Sequence, residues 1–398
     1  MDLPPPPITY FARTNFRNGN IPFGIKQADR LSHTYAIGKT GTGKSTLLET
    51  LIRQDIANGH GLALLDPHGD VVEKIAASIP EHRKEDLIYF NVPDQTQPFG
   101  YNPLKRVIPE KRPLAASGIL EVFKRMWADF WGPRMEHILR NALLALLDQP
   151  EATLPDIAKL IMDDTFRKSV AARVSNPQVR EFWLKEYEKY SYRLRADAVA
   201  PIQNKVGAFL TDPNLYRILT KPEKTVHIRK TMDEGKILLV NLAKGRIGED
   251  SSGLLGGLLI TTISLAAFSR AESPPEERRD FYLYIDEFQN FTTLSIANMA
   301  SELRKYHVGL ILANQYLHQL DPDVEHSVLG NVGTLISFRL GPKDASVISK
   351  EFDPTFEPTN LINLPNYHIY LKLMIDGAPS KAFSGVTLRT AQSGDSRI

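Results

Sequence analysis

One stretch, Gly38-Lys39-Thr40-Gly41-Thr42-Gly43-Lys44-Ser45-Thr46, constrains this chain more than any other. Its first eight residues match G-x-x-x-x-G-K-[ST] in full. Such a loop turns backbone N–H groups toward phosphate oxygens at the positive end of a helix. It therefore needs a strand to deliver it and a helix to leave it. Both are legible. His33-Thr34-Tyr35-Ala36-Ile37 reads as a strand, Leu47, Leu48, Leu51, Ile52 and Ile56 recur at helical spacing, and Gly59 supplies a stop. Phosphate contact is expected from Gly38 to Thr46, with Lys44 reaching the β- and γ-phosphates and the Ser45 hydroxyl a ligand of Mg²⁺. The guanine-reading N-K-x-D pattern lacks its aspartate in Asn204-Lys205-Val206-Gly207, so ATP with Mg²⁺ is the expected ligand pair.

Strand–helix alternation continues around the loop. Leu62–Leu65 and Leu87–Phe90 read as buried strands and Val71–Ser78 as a helix, the pattern of an α/β domain with a mainly parallel sheet. From about Leu114 to Thr220 only helical periodicity appears: Ala115–Phe130, Met135–Leu147, Leu154–Met162, Asn176–Tyr190 and Arg195–Leu210. Strands resume at Lys236–Leu242, Phe281–Ile285, Gly309–Ala313, Thr334–Leu340 and His368–Met374, and Asp376-Gly377 marks a hairpin turn before Lys381–Leu388. The expected organisation is an extended arm over 1–22, a nucleotide-binding unit over 23–104 and 225–390, an all-α insert over 105–224, and a tail over 391–398. With 398 residues, 42% hydrophobic and 24% charged, a mainly disordered chain is excluded. The absence of cysteine excludes a disulfide scaffold, a thiolate zinc site and a cysteine nucleophile.

The apolar run Phe281–Ile285 ends in Asp286-Glu287. Beside a phosphate loop, the first carboxylate is suited to the Mg²⁺ shell and the second to orienting and deprotonating the attacking water. Gly309–Ala313 leads to Asn314-Gln315, and Gln315 is placed to hydrogen-bond the γ-phosphate or the water, since parallel strands end on one sheet edge. Arg304 and Arg339 are both candidates for an arginine finger reaching a neighbouring subunit.

The start, Met1-Asp2-Leu3 followed by four prolines, lacks the basic and apolar segments of a secretory signal. The uncharged run Ser251–Ser269 reads as a buried core helix, not a span, so no integral membrane segment is expected. Net charge is +2, but Tyr101–Lys230 carries +8 against −6 for the remainder. Lys124-Arg125, together with Lys244 and Arg246 in the loop after a strand, are candidate DNA contacts; Arg167-Lys168, Lys105-Arg106 and Lys111-Arg112 are further basic blocks. Met126, Trp127, Phe130 and Trp131 have helical spacing and read as core.

Taken together, these residues resemble the HerA–FtsK superfamily of ring ATPases, and most closely the coupling proteins of type IV secretion and conjugation (the TraG/TraD kind). The resemblance runs from about Phe23 to Leu388. It is carried by Arg30-Leu31-Ser32-His33, the phosphate loop, Leu65-Asp66-Pro67-His68-Gly69-Asp70, Asp286-Glu287-Phe288, Arg304-Lys305 before a strand ending in Gln315, and the helical insert. It implies a RecA-like P-loop motor domain interrupted by an all-α domain, assembled as a hexameric ring that hydrolyses ATP and moves DNA. By the same likeness Arg304 is the better finger and Gln315 the sensor. Implied partners are a relaxase or secretion-channel proteins. The alternatives are a nuclease, for a HerA-like motor in repair or defence, and a protein substrate, for a nucleotide-switched ATPase without DNA. No transmembrane pair stands before Phe23, a departure from the coupling-protein pattern. A cytoplasmic location, peripheral at the inner face of the membrane, is expected.

Overall fold

A computed structural model describes residues 7–105, 107–191, 199–200, 202, 206–207, 211–220, 222–292 and 294–388. The helix expected over Arg195–Leu210 falls largely outside these residues, and the tail over 391–398 entirely so. The chain divides into two compact units, one of residues 1–91, 229–243 and 267–398, the other of 92–228 and 244–266.

The first unit is built on an eleven-stranded sheet. Its strands are β1 (Ile8–Thr14), β2 (Pro22–Lys26), β3 (Thr34–Ile37), β4 (Gly61–Asp66), β5 (Leu87–Asn91), β6 (Ile237–Asn241), β7 (Phe281–Ile285), β8 (Val308–Asn314), β9 (Thr334–Ser337), β10 (His368–Lys372) and β11 (Phe383–Thr387). Their spatial order is β2-β1-β11-β10-β9-β3-β8-β7-β4-β6-β5. From β9 to β5 every neighbouring pair is parallel. Within this stretch β3, β4, β6, β7 and β8 are buried along their whole length, which explains their continuous apolar runs. The remaining strands extend the sheet in antiparallel fashion.

That extension corrects the expected arm over 1–22. Ile8–Thr14 pairs with both β11 and β2, and Phe11 and Ala12 are wholly buried. Phe23 lies edge-on to Phe11 and to Phe383, so the two strands close over an aromatic cluster. The Asp376-Gly377 turn forms as expected, with both residues at positive φ and a small ladder between 374–375 and 378–379.

Behind the sheet, helix α1 (Lys44–Ala57) buries Leu47, Leu48, Leu51, Ile52 and Ile56. Its last turn carries Asp55, which is fully buried and ion-paired with Arg30. Arg30 Nη2 donates to Asp55 Oδ2 at 2.8 Å and to the Tyr284 hydroxyl at 2.7 Å, and Nη1 to Thr9 Oγ1 at 3.2 Å. The Tyr284 hydroxyl also donates to Asp55, and the guanidinium lies 3.8 Å from the centre of the Tyr282 ring. This network clamps the far end of the phosphate-loop helix to β7.

The second unit is all-helical among its described residues save the short bridge of 99–100 with 224–225. It differs from the expected 105–224 in being discontinuous. Most of helix Glu249–Ser269 belongs to it, because Gly118 and Gly257 let that helix approach Arg112–Met126 closely. A Cβ at Gly118 would meet Thr261 Cγ2 at 2.4 Å, and one at Gly257 would meet Val122 Cγ1 at 3.0 Å. The helix is the one described element long and apolar enough to cross a membrane, and 72% of its most apolar window is buried in the protein. Two helices, Asp164–Arg173 and Pro213–Thr220, were not expected; Pro213 opens the second. Arg167 is only 1% exposed and pairs with Asp164 and Glu188, so it cannot serve as a phosphate contact. Arg112 pairs with Asp148 and Lys105 with Glu151. Trp127 is buried and stacks on Phe123 as expected of core, whereas Phe130 is 61% exposed.

Candidate functional site

Sheet register assembles the site. Ile37 is level with Asn314 and with Ser337, Leu312 is level with Ile285, and Ile285 with Leu65. The residues that follow these strand ends, Gly38, Gln315, Asp286 and Asp66, therefore emerge along one edge. β8, which leads to Gln315, lies between the strand of the phosphate loop and the strand of the acid pair.

The loop is held by its neighbours' backbone. Gly38 N–H donates to Asn314 O at 3.3 Å, Lys39 N–H to Arg339 O at 3.0 Å, and Tyr367 N–H to Thr42 O at 2.7 Å. Inside it, Thr42 Oγ1 donates to Lys39 O at 2.6 Å. Gly43 adopts φ 122, and a Cβ there would lie 2.9 Å from the Tyr367 ring and 3.1 Å from that of Phe338, so only glycine fits. Thr40, Gly41 and Ser45 are exposed, while the Lys44 side chain is buried. Thr46 lies in the first turn of α1.

Lys44 Nζ donates to Gly38 O at 2.6 Å and lies 3.6 Å from Glu287 Oε1. The other carboxylate oxygen, Glu287 Oε2, accepts from Gln289 Nε2 at 2.7 Å. Glu287 itself sits at φ 43, a left-handed conformation costly for a side-chain-bearing residue. Asp286 is almost fully buried and accepts the Glu287 N–H at 2.9 Å. Burial, and next the Asp66 and Glu287 carboxylates, push Asp286 up to about 7, against the pull of the Lys44 ammonium. A divalent cation at this position would favour its ionised form, so the donor set of Asp286 with the Ser45 hydroxyl suits Mg²⁺, an ion that keeps most of its shell as water and phosphate oxygen. No group of three or more His, Asp or Glu side chains that could hold a metal occurs among the described residues.

Gln315 is half-buried, and its Nε2 donates to the Tyr316 hydroxyl at 2.8 Å. Arg304 stands in the turn Leu303–Tyr306 before β8, exposed, at the opposite end of that strand. The strand's 7 residues at about 3.3 Å each put it roughly 20 Å from its own Gln315. Arg339 departs from the expectation of a finger. Its guanidinium donates to Leu364 O at 3.3 Å and Asn366 Oδ1 at 2.8 Å of the same chain, so it braces the segment that wraps its own loop.

Sequence reasoning assigned no role to Asp66 or to residues 364–367. Asp66 is fully buried and accepts the N–H groups of His68, Val71 and Val72 at 2.8, 2.9 and 3.1 Å, which fixes the turn at the strand end beside Asp286. Its Asp-Pro-His-Gly sequence was the available signal; nothing in the spacing pointed to Tyr367. The four candidate DNA contacts belong to the helical unit. Lys124 and Arg125 are exposed at the end of Arg112–Met126, and Lys244 and Arg246 lie on a helical turn, Lys244–Ile247, where a loop was expected.

Comparison with known proteins gives the arrangement a context. The bacterial conjugative coupling protein TrwBdeltaN70 shares the fold with a TM-score of 0.67 at 17% identity, over 96% of this chain and 89% of that one. The plasmid coupling protein TrwB in complex with ADP and Mg²⁺ matches with the same score and identity, over 98% and 97%. VirB4 of Thermoanaerobacter pseudethanolicus matches at 0.64 and 16%, over 98% of each chain. No curated protein sequence matches the chain. The expected RecA-like α/β fold is thus present in full. The model of the type IV secretion-system coupling protein DNA-binding domain matches residues 16–352, a span that takes in the loop, the acid pair, Gln315 and the helical unit alike. Over most of its length, then, this chain is a member of the type IV secretion coupling-protein family.

Proposed function

We propose that this protein is an ATP-hydrolysing motor that works as a hexameric ring and translocates DNA in conjugative transfer or type IV secretion. The observation that carries the proposal is the placing of Arg304. Gly38–Thr46, Gln315 and Asp286-Glu287 share one sheet edge, while the candidate finger stands a strand length away on the other. An arginine so placed can reach a γ-phosphate only in a neighbouring subunit, and head-to-tail contacts that close make a ring.

In this reading the Gly38–Thr46 loop and Lys44 would hold the phosphates, and Ser45 and Asp286 would hold Mg²⁺, which would supply positive charge against the phosphate oxygens. Lys44 leaves its contacts with Gly38 O and Glu287 to meet the phosphates, freeing Glu287 to take a proton from the attacking water. Gln315 orients that water. DNA phosphates meet the helical unit at Lys124-Arg125 and Lys244/Arg246. The antiparallel packing that brings Gly118 to Thr261 and Val122 to Gly257 carries both basic pairs to the same end of that unit. The protein acts in the cytoplasm at the inner membrane face, with a relaxase or channel proteins as partners.

ATPase rate measured with and without DNA across a salt series tests the reading. Stimulation that falls steeply with salt is the expected result. A flat response would exclude DNA as the substrate and favour a protein substrate; co-purification of a nuclease would move the motor to repair or defence.

A further inference from the structure

We propose that Tyr35 is a positioning residue for Gln315, acting through Asn314 and Tyr316; this rests on the reading of Gln315 as the residue that orients the water. Tyr35 lies on β3, three residues before the phosphate loop, and is fully buried. Its hydroxyl donates to Asn314 Oδ1 at 2.6 Å. Asn314, also fully buried, donates from Nδ2 to the carbonyl of Tyr316 at 3.0 Å. The Tyr316 hydroxyl in turn accepts from Gln315 Nε2 at 2.8 Å. The chain ends by committing the nitrogen of the Gln315 amide, which fixes the rotation of the amide and with it the direction in which the acceptor Oε1 is presented to a water.

The same tyrosine touches the third motif. Its ring packs edge-on to Phe288, the residue after Glu287, with centroids 6.0 Å apart at 83°. One side chain thus connects the loop strand, the sensor strand and the acid-pair turn. A hydroxyl in an all-apolar strand position is expensive to bury without a purpose for its hydrogen bond, and Phe would pack the same space. The hydroxyl serves to lock the Asn314 amide, and through the Tyr316 backbone the Gln315 side chain, against the loop.

Steady-state ATPase kinetics and binding of a fluorescent ATP analogue to the full chain test this. Tyr35→Phe is expected to lower kcat roughly tenfold, the worth of one buried hydrogen bond, with KM and nucleotide Kd changed less than twofold. In a Gln315→Ala background the same substitution is expected to add nothing. Tyr316→Phe, at a half-buried position where folding is not at stake, should reproduce the pattern. The proposal is overturned if Tyr35→Phe weakens nucleotide binding in step with kcat, or multiplies the loss in Gln315→Ala, or if either tyrosine variant is silent while Gln315→Ala is crippled. If Gln315→Ala itself hydrolyses ATP at the parent rate, the sensor reading fails, and the relay with it.

Discussion

Replacing Asp55 by asparagine is expected to weaken the sheet unit severely, although Asp55 lies at the far end of α1 from the phosphate loop. Asp55 is fully buried and Arg30 only 2% exposed, so the guanidinium has no water to turn to. The variant keeps the shape of the side chain and removes its charge. It leaves Arg30 with one amide oxygen, the Tyr284 hydroxyl, Thr9 Oγ1 and the Tyr282 ring, all neutral. Breaking a buried pair in this way costs about 3–5 kcal/mol, which corresponds to a drop of roughly two to three and a half orders of magnitude in the closed-to-open ratio. Trp127, Trp131 and Trp183 all belong to the helical unit, so tryptophan fluorescence serves as an internal control. Amide hydrogen exchange of peptides covering α1 and β7 reads the effect itself. A triple variant, Arg30→Met with Asp55→Leu and Tyr284→Phe, removes charge and partner together and should recover most of the loss. If Asp55→Asn costs less than about 1 kcal/mol, or the triple variant is no better than the single one, the network is not what holds α1 to β7.

The other expectations are more direct. Glu287→Gln should bind the ATP analogue as the parent does and hydrolyse nothing measurable; retained turnover would remove Glu287 as the base. Arg304→Ala should be inactive alone yet recover when mixed with Glu287→Gln subunits, because each supplies what the other lacks across an interface; rings that stay inactive after mixing would argue against a finger in trans. Gly43→Ala should weaken nucleotide binding at least tenfold, since both its φ and the Tyr367 ring resist a Cβ. Burial holds His33 down at about 4, and its Nδ1 accepts the Leu310 N–H. The unfolded chain takes up that proton first, near 6.5, so the stability is complete above that pH and is lost as pH falls toward 4. The loss is about 3 kcal/mol, and His33→Gln should flatten the pH dependence of urea unfolding across this window.

Much of the site was legible because its chemistry is local. The loop, the acid pair and the strand ending in Gln315 each occupy a few adjacent residues, and the parallel sheet does the rest by bringing strand ends to one edge. What escaped depends on distant partners. Ile8–Thr14 is short and follows a proline run, and besides its hairpin partner β2 it pairs with a strand more than three hundred and sixty residues away. Helix Glu249–Ser269 is apolar on every side, and such a helix has no face by which to tell the unit it packs in. The close approaches at Gly118 and Gly257 decide that, and they exist only in three dimensions. Arg167 looked like a surface cation because periodicity cannot see the acids at 164 and 188 closing over it.

The strand order also bears on how the chain is made. Apart from the β1–β2 hairpin, no strand before residue 92 pairs with another strand before residue 92. β3 finds its neighbours only in β8 and β9, about 270 and 300 residues later, which at ribosomal speed is a wait of tens of seconds. In that interval β3 has no ladder to join, and β4 and β5 have none until β6 emerges, whereas most of the helical unit, residues 92–228, is contiguous and can fold as it emerges. The nucleotide loop is thus among the first parts synthesised and among the last to be framed, and a chain interrupted before Val308 leaves the loop strand without either partner.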